Sequence, residues 1–165
     1  MRYVSIACLM VAAACGGYRA PQTALATKLR GIVSVEGSAP TEVVIVSTAD
    51  GGRVGITGDL RPTIASLAGA EIAVTGTRED GMLPGTSGSF RASTYDVLSV
   101  QGLPASMGVL DRDGDHFVLR GDVVWILSDV PEALARRVNR TVWVAGEHAD
   151  TRIRVQLWGE IRTGA

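Results

Sequence analysis

Cysteine is nearly absent from this chain of 165 residues, and its two cysteines, Cys8 and Cys15, both lie within the first fifteen positions. The rest of the chain therefore cannot form a disulfide framework or a thiolate metal site. Histidine is just as scarce: His116 and His148 each stand alone, and a metal site would need further ligands that no local pattern supplies. We therefore predict that the protein uses no metal and no other cofactor.

The chain also lacks an excess of charge of either sign. Sixteen basic side chains stand against seventeen acidic ones, which gives a formal net charge of −1, and neither half of the chain is enriched in basic residues. A protein that binds nucleic acid needs a basic surface for the phosphate backbone. The charge balance therefore argues against a nucleic-acid partner.

No apolar run in the chain approaches the roughly 20 residues that a membrane-spanning helix needs. The N-terminal run, residues 4–14, carries no charge, follows Arg2 and ends in small residues. This is the pattern of a secretory signal peptide, and Ala12 and Ala14 satisfy its small-x-small rule. The sequence therefore predicts that the protein is exported.

Cys15 directly follows these small residues, in the stretch VAAACGG. This stretch resembles the lipobox of bacterial lipoproteins, although that family prefers Leu at the position of Ala12. In that family the cysteine thiol receives a diacylglyceryl group, the signal is cut off before the cysteine, and the new amino group is acylated with a fatty acid such as palmitate. The resemblance implies that residues 1–14 are a signal peptide, that Cys15 is the lipidated first residue of the mature chain, and that residues 15–27 form a tether.

The lipobox also implies a location in the cell envelope. Some lipoproteins carry an inner-membrane retention Asp directly after the cysteine, and this chain has Gly16 there, which favours the outer membrane and a protein that faces the periplasm. Two alternatives stay open. Cys15 is incidental if the signal is an ordinary export signal, and a disulfide between Cys8 and Cys15 would stabilise no folded domain.

Beyond the tether, short β-branched segments alternate with turn residues, and the order of three strands, one short helix and two strands occurs twice. In the first copy we predict strands at 29–37, 43–48 and 53–57, a helix at 59–69, and strands at 71–76 and 90–100. In the second copy we predict strands at 107–111, 116–121 and 123–127, a helix at 128–139, and strands at 140–146 and 152–162. Asp59 and Asp129 are the predicted N-cap residues of the two helices.

The two copies align with each other without a gap over seventeen residues. Residues 60–76 match residues 130–146 in structural role, and Gly69 meets Asn139, two residues that tolerate the left-handed conformation at a helix end. The match predicts an internal duplication.

This element order resembles the OB-fold, a small five-stranded Greek-key barrel. The resemblance implies a mainly β protein with one OB-like barrel in residues 28–103 and a second in residues 104–165. Each barrel would carry one short helix between its third and fourth strands. A single β-sandwich of about ten strands is the alternative.

Aromatic residues make up only 5% of the chain, and all three tryptophans lie in its second half. Alternation places Trp143 opposite the valines beside it, and it places Trp158 opposite the apolar residues of its own strand. If the aliphatic faces fill the interior, one outward face carries four residues, Trp143, Arg152, Arg154 and Trp158. Exposed aromatic faces of OB-folds stack bases or sugars, so we predict that these four bind a glycan. The alternative is that the tryptophans pack one barrel against the other.

The stretch DRDGD, Asp111 to Asp115, alternates carboxylates as calcium loops do. It lacks the later bidentate Glu of those loops and lies between two predicted strands. A hairpin turn at Asp113-Gly114 is therefore the prediction.

Together these features predict a membrane-anchored lipoprotein of the cell envelope that acts as a non-enzymatic binding or scaffolding module. Its partners would be the membrane, through the lipid on Cys15, and envelope proteins or glycan. The alternative is a soluble secreted or periplasmic enzyme or inhibitor, for which the sequence offers no set of close catalytic residues.

Overall fold

The computed structural model describes residues 26–161. The first half of this region contains β1 (Thr27–Glu36), β2 (Val43–Ser47), β3 (Arg53–Thr57), α1 (Arg61–Ala65), β4 (Ala70–Glu79) and β5 (Gly88–Val100). The second half contains β6 (Leu103–Asp113), β7 (His116–Arg120), β8 (Val124–Ser128), α2 (Glu132–Ala135), β9 (Thr141–Ala149) and β10 (Arg152–Glu160). The protein is mainly β, as predicted, and each helix lies between the third and fourth strands of its half.

The signal segment, Cys15 and nearly all of the tether lie outside the described residues. The lipidation of Cys15 therefore stays a prediction. Within residues 26–161, neither helix is long and apolar enough to cross a membrane.

Each strand of the first half, β1 to β5, pairs with two others in the same half. β1 pairs antiparallel with β2 and with β4, β2 pairs antiparallel with β3, and β4 pairs antiparallel with β5. The fifth pairing, between β3 and β5, is parallel. The pairings thus run from β1 through every strand of the half and back to β1.

The second half repeats this pattern strand for strand. β6 pairs antiparallel with β7 and β9, β7 with β8, and β9 with β10, whereas β8 and β10 are parallel. Every pairing therefore has a counterpart of the same orientation in the other half. Among residues 26–161, two residue pairs in the β5–β6 hairpin join the ladders of the halves into one ten-stranded sheet.

Both helices are shorter than predicted, and their predicted N-caps are wrong. The N-cap of α1 is Leu60 and that of α2 is Pro131, and neither side chain caps its helix. Asp129 instead has φ = +54°, outside the extended conformation that an N-cap residue normally adopts. The predicted helix ends are also wrong, because the helices end at Ala65 and Ala135. Gly69 and Asn139 nevertheless have φ = +87° and +66°, in the left-handed region that the alignment predicted for both.

The buried side chains form two apolar clusters, one in each half. Each helix contributes one fully buried residue, Ile64 from α1 and Leu134 from α2. Burial of such a side chain stabilises the fold by about 1.5–3 kcal/mol. The helices therefore contribute to the two cores despite their length of only about one turn.

The two halves also contact each other. Trp143 and Met107 belong to the second half, yet both pack against the cluster of the first half. The Met107 sulfur accepts a hydrogen bond from the backbone N–H of Val97 at 3.0 Å. β6 and β9 therefore form the face of the second half that meets the first.

Candidate functional site between the two halves

Trp143 lies on the face of β9 that is turned towards the first half. Its neighbours Val142 and Val144 are fully buried in the cluster of the second half, and alternation turns Trp143 the other way. There it packs against the cluster of the first half and remains partly exposed. The first half thus buries part of its indole and leaves the rest at the surface.

Trp158 does not share that face, contrary to the sequence expectation. A β-bulge between Val155 and Leu157 leaves Gln156 without a paired residue on β9, and Trp158 pairs with Val144 across the ladder. A bulge of one residue moves every later side chain to the opposite face of the strand. Trp158 consequently packs against the cluster of the second half.

The two arginines remain on the exposed side of β10. Arg152 and Arg154 precede the bulge and alternate with the buried Ile153 and Val155. Arg154 forms an ion pair with Glu147 at 2.9 Å. The structure therefore does not bring the four predicted residues together on one face, because Trp158 is turned towards the cluster of the second half.

The exposed part of Trp143 lines a cleft of about 560 Å³ between α1 and the β9–β10 ladder. We call it the Trp143 cleft, and its lining residues are Pro62, Thr63, Ser66, Leu67, Trp143, Gly159 and Glu160. Both halves contribute to it, since the first four residues come from α1 and the turn after it. A ligand bound here would touch both halves at once.

Gly159 shapes the floor of the Trp143 cleft. It pairs with Trp143 across the ladder, and the indole lies directly over it. A Cβ atom at position 159 would lie 2.6 Å from the indole Nε1, closer than real Cβ contacts come. The absence of a side chain at Gly159 therefore lets the Trp143 ring lie flat against β10.

The polar groups of the Trp143 cleft come from both walls. Ser66 donates a hydrogen bond to the carbonyl of Thr63 at 2.6 Å, so its hydroxyl oxygen can still accept one. On the opposite wall the Glu160 carboxylate lies 3.2 Å from Arg137 and 4.0 Å from Arg140. An indole surface with a few convergent hydroxyl and carboxylate groups suits a ligand that has an apolar ring face and several hydroxyls.

A second cleft, of about 580 Å³, lies on the first half between the β1–β2 and β4–β5 loops. Its walls are largely aliphatic, because Val43, Ile56 and Leu83 line it together with two prolines. Arg53 fixes the β4–β5 loop: it donates to the carbonyl of Gly85 at 3.0 Å and pairs with Glu36 at 2.6 Å. The lining includes no aromatic side chain on which a sugar ring could stack.

The acidic stretch Asp111 to Asp115 forms the β6–β7 hairpin, as predicted. Asp113 pairs with His116, and Gly114 has φ = +59° in the turn. Asp111 accepts a hydrogen bond from Arg120 at 2.7 Å, and this bond lowers the pKa of the Asp111 carboxyl. Within residues 26–161, no three His, Cys, Asp or Glu residues are grouped so that they could hold a metal ion.

Sequence reasoning named Trp143 but missed the residues that surround it. Ser66 and Glu160 lie 94 positions apart in the chain, and only the contact between the halves brings them to one cleft. No local sequence pattern predicts such a contact. Comparison of the chain with protein-family models, with curated proteins and with solved structures gives no match.

Proposed function

We propose that this protein is a lipid-anchored lipoprotein of the cell envelope whose two halves are OB-like barrels and which binds a glycan fragment in the Trp143 cleft without chemical conversion. The observation that carries the proposal is the position of Trp143, held by the first half and still open to solvent in a cleft that both halves build.

The strand pairings support the two barrels. In each half five strands form a circuit in which every strand has two partners within the half, which is the pairing expected of a closed sheet. The parallel pairing of the third and fifth strands recurs at the same place in both circuits. The separate apolar clusters of the halves are the expected interiors.

The chemistry of the Trp143 cleft supports a glycan as the ligand. A pyranose ring presents a face of C–H groups and an edge of hydroxyls, which match the indole of Trp143 and the oxygen atoms of Ser66 and Glu160.

The proposed anchor limits where the ligand can be. Thr27, the start of β1, lies twelve positions after Cys15, and a fully extended chain over that distance spans at most about 40 Å. One acyl chain alone would hold the protein only marginally, whereas the diacylglyceryl group and the added acyl chain anchor it stably. The barrels would therefore work close to the membrane, within reach of peptidoglycan.

Two measurements test the proposal separately. The intact mass of protein extracted from its native membrane fraction should equal residues 15–165 plus a diacylglyceryl group and an acyl chain. An unmodified mass from the soluble fraction would remove the anchor and favour a secreted protein with Cys15 as a free thiol.

Calorimetric titration of the full chain with peptidoglycan glycan fragments tests the ligand. We expect binding that is lost in Trp143→Leu and kept in the matched control Trp125→Leu, whose position lies outside the Trp143 cleft. Near-UV circular dichroism verifies that each variant is folded. Equal binding by the two folded variants, or no binding by the parent chain, would contradict the proposal.

A further inference from the structure

A serine and a histidine meet at a second place in the second half, away from the Trp143 cleft. The Ser106 hydroxyl lies 3.2 Å from Nε2 of His148, although the two residues are 42 positions apart. Ser106 pairs with Val144 on β9, and His148 lies four residues further along the same strand. The intervening residue on that face, Gly146, has no side chain to separate them.

The surroundings of His148 determine its tautomer. Its Nδ1 lies 3.2 Å from the carbonyl oxygen of Gly146, and a carbonyl oxygen can only accept a hydrogen bond. Nδ1 of the neutral ring therefore carries the proton and Nε2 is unprotonated, so that Nε2 accepts the hydrogen bond that Ser106 donates. This is the arrangement in which a histidine acts as general base towards a serine.

Trp125 restricts the imidazole further. Its ring stands perpendicular to that of His148, at an interplanar angle of 88°, with the ring centroids 4.9 Å apart. Edge-to-face packing of this kind is a favourable aromatic geometry. The ring that accepts the serine proton is therefore held in place by a contact on one side and a backbone hydrogen bond on the other.

Ser106 is accessible to a small molecule. It lines a cleft of about 490 Å³ together with Trp125, Gly108 and Gly121. The carboxylates of Asp96 and Asp122 line the same cleft, so an anionic substrate is disfavoured and a neutral one is accommodated.

We propose that Ser106 is a nucleophile activated by His148 and that it accepts an acyl group from a small uncharged carboxylic ester. The Ser106 oxygen forms a bond to the ester carbonyl carbon while its proton passes to Nε2 of His148. The bond to the alkoxy group then breaks, and the alcohol leaves with that proton. Water, deprotonated by the same nitrogen, releases the acid and restores Ser106. This activity goes beyond the proposed glycan binding and uses a different cleft.

The test is covalent labelling of the full chain with a neutral fluorophosphonate. In this reaction the serine oxygen bonds to phosphorus, the P–F bond breaks, and fluoride leaves while His148 takes the proton. We expect an adduct on Ser106, located by peptide mass spectrometry. A positioned general base contributes about 10²–10⁴-fold, so His148→Gly should label at least about 100-fold more slowly, and added imidazole should restore labelling.

Controls separate this role from a structural one. Ser38→Ala, in the exposed β1–β2 loop, should label like the parent chain. Ser106→Ala should give no adduct, and circular dichroism should show each variant folded. If Ser106→Ala does not fold, the imidazole rescue of His148→Gly still tests whether His148 activates Ser106. No adduct on Ser106, or equal labelling rates in the parent chain and folded His148→Gly, would overturn the proposal.

Discussion

The packing of Trp143 over Gly159 gives a prediction with a calculable size. Replacing Gly159 by Ala adds one carbon that would lie 2.6 Å from Nε1, 2.7 Å from Cε2 and 2.8 Å from Cζ2 of the indole. Real Cβ atoms essentially never come within 3.0 Å of another heavy atom, so one of the two groups must move. The indole cannot swing away freely, because its other side packs against the apolar cluster of the first half.

The cost follows from this confinement. An extra methyl group in a well-packed site costs typically about 1–3 kcal/mol. For a protein of this size one kcal/mol lowers the melting temperature by about 2–4 °C, so Gly159→Ala should melt roughly 2–12 °C below the parent chain. The change should also weaken the binding of any ligand in the Trp143 cleft, since the indole that lines the cleft is displaced.

Thermal unfolding followed by far-UV circular dichroism measures this effect. Gly88→Ala is the matched control, because Gly88 also lies in a strand, has no heavy atom within 4 Å of an added Cβ, and does not have a left-handed φ. That variant should be as stable as the parent chain or up to about 1 kcal/mol more stable. In the double variant Gly159→Ala/Trp143→Ala the added methyl should cost little beyond the Trp143→Ala change. Equal melting temperatures for Gly159→Ala and Gly88→Ala would refute the reasoning.

Three further predictions concern single side chains. Leu134→Ala should lower the free energy of unfolding by about 2–5 kcal/mol in urea denaturation, because Leu134 is fully buried in the cluster of the second half; a change below 1 kcal/mol would contradict that position. Tyr95→Phe should leave stability unchanged or raise it, since the buried Tyr95 hydroxyl has no hydrogen-bond partner among the described residues, and burial raises its pKa to about 12; a loss above 1 kcal/mol would reveal a hidden partner. Glu79→Gln should destabilise more at pH 7 than at pH 3. Hydrogen bonds from Thr57 and from Arg91 lower the pKa of Glu79, so the stability that they give is fully present above its ordinary value near 4.5 and decreases as the pH falls through the lowered pKa. An equal difference in stability at both pH values would argue against the ionised pair.

Local sequence patterns predicted the strands whose limits are set by neighbouring turns. β3 spans the predicted residues 53–57, because an Asp-Gly turn precedes it and Gly58 follows at φ = +86°. β4 and β5 are longer than predicted. Arg91 pairs with Thr57 on one side and with Thr77 on the other, and such non-local partners extend a strand beyond its apolar core.

The β5–β6 turn shows a different limit of prediction from sequence. β6 begins at Leu103, four residues before the predicted start, because Gln101 and Gly102 form a tight turn with φ = +52° and +79°. Two consecutive residues with positive φ are typical of the hairpin turn that an Asn-Gly or Asp-Gly dipeptide usually indicates in a sequence. Gln rarely adopts this conformation, so the dipeptide gave no turn signal.

The bulge at Gln156 explains why the predicted aromatic face does not exist. Alternation holds only while the register is unbroken, and an unbroken β10 would have left Trp158 on the exposed side with the arginines. Burying about half of an indole of roughly 200 Å² stabilises by about 2.5 kcal/mol, whereas a lost backbone hydrogen bond costs only about 0.5–1.5 kcal/mol. The free energy gained by burying Trp158 therefore exceeds the cost of the bulge that this burial requires. The same shift places Gly159, rather than Trp158, opposite Trp143, so the bulge that removes one tryptophan from the surface also makes room for the other to lie flat in the cleft between the halves.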